Sequence, residues 1–138
     1  MRIELLGWEG ARAEASRIRY AVFVEEQRVP LEMEIDELDP QCVHALAFSP
    51  EGVPVATGRL LPDAHIGRMA VLKNWRGQGI GGAILERLVA AARARGEREV
   101  ALSAQTHALD FYRRHEFREE GETYLDAGIP HRMMRRTL

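Results

Sequence analysis

The chain has 138 residues, of which 46% are hydrophobic and 29% charged, and these values exclude a disordered tail and a fibrous repeat. Its net charge of −2 gives no electrostatic support for nucleic-acid binding, and no apolar stretch reaches the roughly 18 residues that a membrane span requires. Cys42 is the only cysteine, which excludes an internal disulfide and a cysteine metal cage and is typical of a cytoplasmic protein. We therefore predict one domain over residues 1–138.

Hydrophobic periodicity and turn residues predict the order of the structural elements. In chain order these are a strand over 2–6, a helix over about 9–24, strands over 43–49 and 53–61 that form a hairpin, a strand over 65–71, a helix over 81–95, a strand over 98–103, a short helix over 107–115, and strands over 117–125 and 131–137. This order predicts an α/β (α+β) fold. We expect a mixed, mostly antiparallel sheet with a central strand–helix–strand unit and helices on both faces.

The segment from residue 25 to residue 39 is strongly acidic. Its only basic residue is Arg28, and its acids are Glu25, Glu26, Glu32, Glu34, Asp36, Glu37 and Asp39. Such a run is compatible with a solvated surface, and equally with a site that attracts a cationic ligand. The charge pattern leaves both interpretations open.

A glycine-rich loop lies between the fourth predicted strand and the most clearly predicted helix, which covers residues 81–95. Four of its six residues from Gly77 to Gly82 are glycines. Glycine lets the backbone approach a ligand closely, and the first turn of a helix offers unpaired N–H groups to an anion. The loop therefore predicts a pyrophosphate-binding site.

Three phosphate-binding motifs compete for this loop. A P-loop ends in Gly-Lys-Ser/Thr, and Gly81-Gly82-Ala83 does not supply that ending. The dinucleotide fingerprint is met at Gly77, Gly79 and Gly82, but a meander precedes it rather than the first strand of a parallel sheet, and no acidic residue ends the next strand. The third motif is Arg/Gln-x-x-Gly-x-Gly/Ala, matched by Arg76, Gly79 and Gly81 after the strand Arg68-Met69-Ala70-Val71.

The third motif resembles the acyl-CoA-binding signature of the GNAT superfamily of N-acetyltransferases. The resemblance extends over nearly the whole chain, since the segment from Ala108 to Phe117 is similar to the family's Ala-x-x-Phe-Tyr-x-x-x-Gly-Phe, with Glu116 in place of the usual glycine. The segment from Arg19 to Gln27 is similar to a small bacterial branch of poorly assigned substrate. We therefore expect a strand that carries a bulge and splays from the next strand.

The resemblance implies acetyl-CoA as co-substrate and assigns its contacts. Main-chain groups of Met69, Ala70 and Val71 would bond the pantetheine amides. The Arg76 side chain and the N–H groups of Gly77, Gln78, Gly79, Ile80, Gly81 and Gly82 would hold the pyrophosphate.

Acetyl transfer to an amine requires a proton donor for the thiolate and an acceptor for the ammonium proton. Tyr112 stands where many family members use a tyrosine as the general acid, although a tyrosine on the same face as Phe111 also fits a core position. The base is left open among Glu26, Asp36, His44 and His131, or a water relayed by one of them. His44 alternates with apolar residues and is expected in the core. The other histidines show no metal-ligand spacing, so we expect no metal.

Two hypotheses follow from the resemblance. The first is an acyl-CoA-dependent N-acyltransferase that transfers acetyl directly to an amine in a ternary complex. The alternative is a non-catalytic acyl-CoA-binding module or sensor, against which the presence of Tyr112 argues. The expected partner is a small-molecule or peptide amine rather than nucleic acid or membrane, and a homodimer is left open.

Overall fold

Seven strands and four α-helices form the fold, and the computed structural model describes residues 1–138. In chain order they are β1 (Arg2–Leu6), α1 (Trp8–Arg19), α2 (Leu31–Glu34), β2 (Val43–Phe48), β3 (Pro54–Leu60), β4 (Ile66–Val71), α3 (Ile80–Ala94), β5 (Glu99–Gln105), α4 (Leu109–Arg114), β6 (Arg118–Asp126) and β7 (Ile129–Thr137). A π-helical segment, Tyr20–Glu26, continues α1, and short 3₁₀ turns precede β2, α3 and α4. None of the helices combines the length and the apolarity needed to cross a bilayer.

The strands form two antiparallel sheets, with the orders β1-β2-β3-β4 and β5-β7-β6. A single parallel bridge, between His65 and Ala101, joins them at the start of β4. The predicted α/β class and the central parallel step are thus confirmed. The mostly antiparallel arrangement that we expected is also present, and it consists of two sheets because β4 and β5 separate beyond this bridge.

A β-bulge in β4 accompanies this separation. Thr57 pairs with Ala70 and Arg59 with Gly67, so two residues of β4, Arg68 and Met69, stand opposite Gly58 alone. The backbone of Arg68 is left-handed, with φ +48°. A bulge bends its strand and increases the local twist, which directs β4 away from β5. The bulge and the splay expected from the resemblance are both present.

Helices cover both faces of the first sheet, as predicted. Side chains alternate between the faces of a strand, so in β2 Ala45 and Ala47 pack in the core that includes α3, whereas Leu46 packs in the core that includes α1. In β4, Ala70 likewise belongs to the α1 side, and Met69 and Val71 to the α3 side. The end of β4 therefore lies between two helical layers.

Candidate active site

A cleft of about 1030 Å³ opens where β4 and β5 diverge. This volume is at the upper end of the roughly 300–1,000 Å³ that is usual for small-molecule and cofactor sites. The lining includes β4 residues, the carboxyl end of β5, the glycine loop with the first turn of α3, and α4. The segment after the π-helix and the β6–β7 turn complete it.

The glycine loop presents an unpaired helix N-terminus to this cleft. Gly77 and Gly79 have φ of +77° and +82°, and neither position has an atom within 4 Å of where a Cβ would stand. The first helical hydrogen bond of α3 runs from Ala83 N–H to Gly79 C=O, at 3.1 Å, so the preceding N–H groups of the first turn have no helical acceptor. Such a turn suits an anion such as a pyrophosphate.

Most of the residues predicted to bind the cofactor line the cleft. These are Met69, Ala70, Val71, Arg76, Gly77, Gly79, Ile80, Gly81 and Gly82. Gln78 is exposed and does not line it, so only its main-chain N–H remains as a candidate contact. Because β5 leaves β4 after the bridge, the edge of β4 that faces β5 has no strand partner and is open to an extended ligand.

Arg76, which heads the glycine loop, is held by two contacts. Its Nε donates to the Val71 carbonyl at 2.9 Å, and its two terminal nitrogens donate to the Glu26 carboxylate at 2.9 and 2.7 Å. Glu26 does not itself line the cleft. The predicted phosphate ligand and one predicted base therefore form an ion pair with each other.

Tyr112 of α4 lines the cleft and packs on the core with its ring. Phe111 and Phe117 meet this ring edge-on, at centroid distances of 5.0 and 6.0 Å. Burial alone raises the pKa of Tyr112 to about 12, with no hydrogen bond or charge contributing to the change. The phenol is therefore protonated at neutral pH and its hydroxyl is available as a donor.

Glu116 keeps the turn after α4 although glycine is usual there in the family. Its φ of +67° is the left-handed conformation that glycine favours. Phe117 N–H bonds the Tyr112 carbonyl at 3.1 Å and Glu116 N–H bonds the Arg113 carbonyl at 3.0 Å, which is the pattern of a Schellman cap. The substitution leaves this turn closed, and with it the support of Tyr112.

Among the four candidate bases, His131 is the one that lines the cleft. Its Nδ1 lies 2.6 Å from the Ile129 carbonyl oxygen, which only accepts, so Nδ1 carries the proton. In the neutral ring, Nε2 is then the unprotonated nitrogen. His131 pairs with Gln105 across β5 and β7, which places it beside the carboxyl end of β5.

The structure argues against two other candidate bases. His44 is 1% exposed, packs against the tilted Trp8 ring at a centroid distance of 4.7 Å and donates from Nε2 to the Asp39 carbonyl at 2.9 Å. Burial lowers the pKa of His44. It is the core histidine that its position in the strand pattern suggested. The Asp36 carboxylate accepts from Arg59 at 2.6 Å and from Leu38 N–H at 2.8 Å. Neither residue lines the cleft.

Part of the acidic segment belongs to a buried ion network, which we define as Arg19, Glu34, Asp36, Asp39 and Arg59. Arg19 contacts Glu34 and Asp39, and Arg59 contacts Asp36 and Asp39, with the two bonds to Asp39 Oδ1 at 2.9 and 2.8 Å. Burial opposes ionisation of Asp39, but the bonds from Arg19 and Arg59 outweigh it and hold its pKa below the usual range. These acids pair internally, so neither the solvated surface nor the cationic-ligand interpretation describes them.

Several cleft residues were not singled out from the sequence. Gln105 of β5 donates to the Gln27 side chain at 2.8 Å, which ties the segment after the π-helix to the second sheet. Ser103 lines the cleft and hydrogen-bonds the Tyr124 hydroxyl. Arg68 lines it from the β4 bulge.

Cys42 is buried outside the cleft. Its Sγ–H donates to the Leu38 carbonyl at 3.3 Å, and burial raises the pKa of the thiol.

A bulged strand that splays from its parallel neighbour, a glycine loop at a helix N-terminus and a protonated tyrosine thus line one cleft. This combination is the arrangement that the resemblance predicts for an acyltransferase of the GNAT class.

The chain belongs to the GNAT family. Residues 11–138 match the family described as an acetyltransferase (GNAT) domain. An uncharacterized N-acetyltransferase of Bacillus subtilis, YjcF, is 42% identical over 125 residues, which cover 88% of this chain and 89% of that protein.

Solved structures agree with this assignment. An acyl-CoA N-acyltransferase from Pseudomonas aeruginosa has a TM-score of 0.85 at 33% identity, with 99% of each chain covered. Escherichia coli ElaA has a TM-score of 0.87 at 27% identity, again with 99% of each chain covered. The protein is therefore an acyl-CoA-dependent N-acyltransferase in the general sense that defines the family.

Proposed function

We propose that the protein transfers an acetyl group from acetyl-CoA directly to an amine within a ternary complex. The observation that carries this proposal is a single cleft that is lined both by the glycine loop and by Tyr112. One elongated ligand can contact both, and acyl-CoA has a pyrophosphate at one end and a thioester at the other.

The β4 edge and the glycine loop support the position of the donor. Main-chain groups of Met69, Ala70 and Val71 would bond the pantetheine amides as an added strand, and the N–H groups from Gly77 to Gly82 would bond the pyrophosphate. This position places the thioester toward the splay between β4 and β5.

Tyr112 is the proposed general acid. When the C–S bond breaks, its protonated hydroxyl would donate a hydrogen bond to the departing thiolate, and that bond forms only as negative charge develops on sulfur. The raised pKa, about 12, keeps the proton on oxygen until that point. A free thiol has a pKa near 8.5, so stabilisation by the hydrogen bond does not require complete transfer.

His131 is the proposed base, acting directly or through a water. Removing the proton from an alkylammonium acceptor with a pKa of about 10.4 costs roughly 4–5 kcal/mol near pH 7. The attacking amine therefore needs a proton acceptor. His131 offers the unprotonated Nε2 beside the end of β5. The proton taken from the ammonium passes from His131 to solvent. The neutral amine then attacks the thioester carbonyl and the C–N bond forms. The thiolate leaves as the C–S bond breaks, and the excess proton on nitrogen goes to His131.

Direct transfer fits the contents of the cleft. The buried thiol of Cys42 lies outside it, so the chain's one cysteine is not placed to form a covalent acyl-enzyme. Approach of donor and acceptor from opposite sides of β4 removes the need for such an intermediate.

A non-catalytic acyl-CoA sensor is the alternative, and two measurements separate it from the enzyme. We expect acetyl-CoA to raise the melting temperature and NAD to leave it unchanged, because only a ligand of the folded state shifts unfolding. We then expect at least one amine in a broad panel to accelerate thiol release from acetyl-CoA. Binding of acetyl-CoA with no amine-dependent release would support the sensor instead.

A further inference from the structure

Arg68 is held in the cleft by a backbone conformation that L residues rarely adopt. It is one of the two β4 residues opposite Gly58 at the bulge, and its φ is +48°. A bulge re-aims a side chain, and here the Arg68 guanidinium lies on the side of α2, where Nη2 is 3.5 Å from the Met33 carbonyl. Strained residues cluster at functional sites, so this position merits a functional explanation.

The guanidinium of Arg68 has no hydrogen bond to a carboxylate. Its nearest acidic groups are Asp36 at 3.6 Å and Glu34 at 4.0 Å. Both belong to the buried ion network, where Arg59 bonds Asp36 and Arg19 bonds Glu34. Arg68 therefore balances the charge of the network at a distance, and its hydrogen bond goes from Nη2 to the Met33 carbonyl rather than to a carboxylate.

The Nε atom of Arg68 is buried, lies 4.0 Å from the nearest Glu34 oxygen and has no hydrogen-bond partner. A buried donor without a partner is rare in folded proteins and calls for an explanation. Burial, and then the nearby guanidiniums of Arg59 and Arg19, lower the pKa of Arg68. The Arg68 side chain as a whole keeps 29% exposure, so an anion bound at its guanidinium would offset both effects.

The surroundings of Arg68 also define which side of the cleft it serves. Phe23, Val29 and Met33 line the cleft together with Arg68 and belong to the segments from the π-helix to α2. The glycine loop leads instead into α3, which packs on the opposite face of the sheet. Arg68 thus stands on the side that the proposed donor leaves free for the acceptor.

We infer that Arg68 determines the class of acceptor by binding a carboxylate of that acceptor. The planar guanidinium presents parallel N–H donors that match a carboxylate, so the acceptor is an amino acid or a related amine with a free carboxyl group. A polyamine or a simple alkylamine would place a second cation beside Arg68. This inference rests on the proposed acetyl transfer.

The experiment compares amines that differ only in the carboxylate. Phenylalanine with phenethylamine, and lysine with cadaverine, are tested as acceptors of acetyl from acetyl-CoA. We expect kcat/KM to be about 10- to 100-fold higher for the carboxylate member, the range that charge-assisted hydrogen bonds supply. In Arg68→Gly this preference should disappear, and in Arg68→Lys part of it should remain.

The variants are chosen so that folding does not obscure the result. Glycine suits a positive φ, so Arg68→Gly relieves the backbone rather than straining it. Arg12→Gln removes one positive charge from an exposed position outside the cleft and should leave the preference unchanged. Acetyl-CoA affinity, measured by calorimetry, should be equal in all of these proteins.

A second measurement does not depend on turnover. N-acetylphenylalanine and N-acetylphenethylamine are titrated into the coenzyme A-loaded protein and followed by NMR. Tighter binding of the carboxylate compound that is lost in Arg68→Gly is the expected result. Equal binding of the two compounds, binding of neither, or a carboxylate preference that survives in Arg68→Gly would overturn the inference.

Failure of the proposed function has a different signature. In that case no amine raises thiol release by the wild-type protein above its basal rate, whether or not N-acetylphenylalanine and N-acetylphenethylamine bind. Transfer to amines without any carboxylate preference would leave the acyltransferase standing and refute the role of Arg68 alone.

Discussion

The Arg76 guanidinium and the Glu26 carboxylate form a two-pronged ion pair, with nitrogen–oxygen distances of 2.7 and 2.9 Å. The two residues are 50 positions apart in the chain, and the pair links the end of the π-helix to the head of the glycine loop. Because the resemblance also assigns Arg76 to the pyrophosphate, we expect Glu26 to compete with the cofactor for the same donors.

This competition predicts the effect of Glu26→Gln. The variant should bind acetyl-CoA up to about fivefold more tightly, since an exposed ion pair contributes about 0.2–1 kcal/mol. Calorimetric titration measures the affinity, and Glu25→Gln, at an exposed neighbouring position, is the control. Turnover should be retained because Glu26 is not the proposed base. Weaker binding in Glu26→Gln would show that Glu26 supports the cofactor site instead.

Tyr112→Phe tests the proposed general acid. The ring contacts with Phe111 and Phe117 survive, so acetyl-CoA affinity should change little while kcat falls by about 10²–10⁴. The deficit should shrink as pH rises toward and beyond about 8.5, where the thiolate leaves without help. Steady-state kinetics from pH 7 to pH 9 measure both effects, with Tyr20→Phe, an exposed tyrosine, as the control. Full turnover in Tyr112→Phe would reduce Tyr112 to a packing residue.

His131→Gln tests the proposed base. Turnover should fall by about 10²–10⁴ near neutral pH and recover as the amine deprotonates in bulk water at higher pH. Rates with the best acceptor are compared with those of His65→Gln, which changes a histidine outside the cleft. An unchanged pH–rate profile in His131→Gln would show that another group accepts the proton of the amine.

Two glycines with the same conformation isolate the role of the loop. Gly79 and Gly52 have φ of +82° and +84°, and neither has a neighbour within 4 Å of an added Cβ. Alanine at either position should cost about 1–2 kcal/mol of stability through the left-handed backbone. Gly79→Ala alone should also weaken acetyl-CoA binding, because Gly79 lines the cleft and Gly52 lies in the β2–β3 turn. Equal acetyl-CoA affinities in the two variants would show that the pyrophosphate does not bind at the loop.

The sequence predicted those parts of the fold that depend on local pattern. Periodicity and turn residues gave the strands and helices, and the glycine loop was recognisable because its function requires a local backbone shape. The long helix α3 and the hairpin of β2 and β3 agree with the predicted ranges to within one residue at each end.

The ionic interactions were not predictable in the same way. Glu34, Asp36 and Asp39 look like one acidic run, but their partners Arg19 and Arg59 lie 15 to 23 residues away along the chain. Only the packing of α1, α2 and β3 brings these charges together. The left-handed backbone of Arg68 was not predictable for a related reason. The residues at which a bulge falls are set by the register of two paired strands, which the sequence of one strand does not determine.

The buried ion network predicts how stability depends on pH. The bonds from Arg19 and Arg59 hold the pKa of Asp39 below its usual value against the opposing effect of burial, and Asp36 is likewise lowered. A lowered carboxyl pKa contributes stability above the unfolded-state pKa, and this contribution is lost as the pH falls. The free energy of unfolding should therefore begin to decrease below about pH 5.

Asp39→Asn removes the carboxylate that bonds both buried guanidiniums, those of Arg19 and Arg59. It should cost about 3–5 kcal/mol at pH 7 and reduce the loss of stability in acid. Urea unfolding at pH 7 and pH 4 measures both, with the exposed Glu37→Gln as the control within the same segment. A cost at pH 7 no larger than that of Glu37→Gln would contradict this account of the network.

Direct transfer from acetyl-CoA to an amine is the central claim, and a single-turnover reaction tests it most directly. Protein loaded with acetyl-CoA is mixed with an acceptor amine, and free thiol, acetylated amine and the mass of the protein are followed together. We predict that thiol and amide appear at the same rate and in equal amounts, with no acetyl group on the protein at any time. Thiol release that precedes the amine and leaves an acetylated protein would contradict direct transfer, and bound acetyl-CoA that yields no amide with any amine would contradict the enzyme.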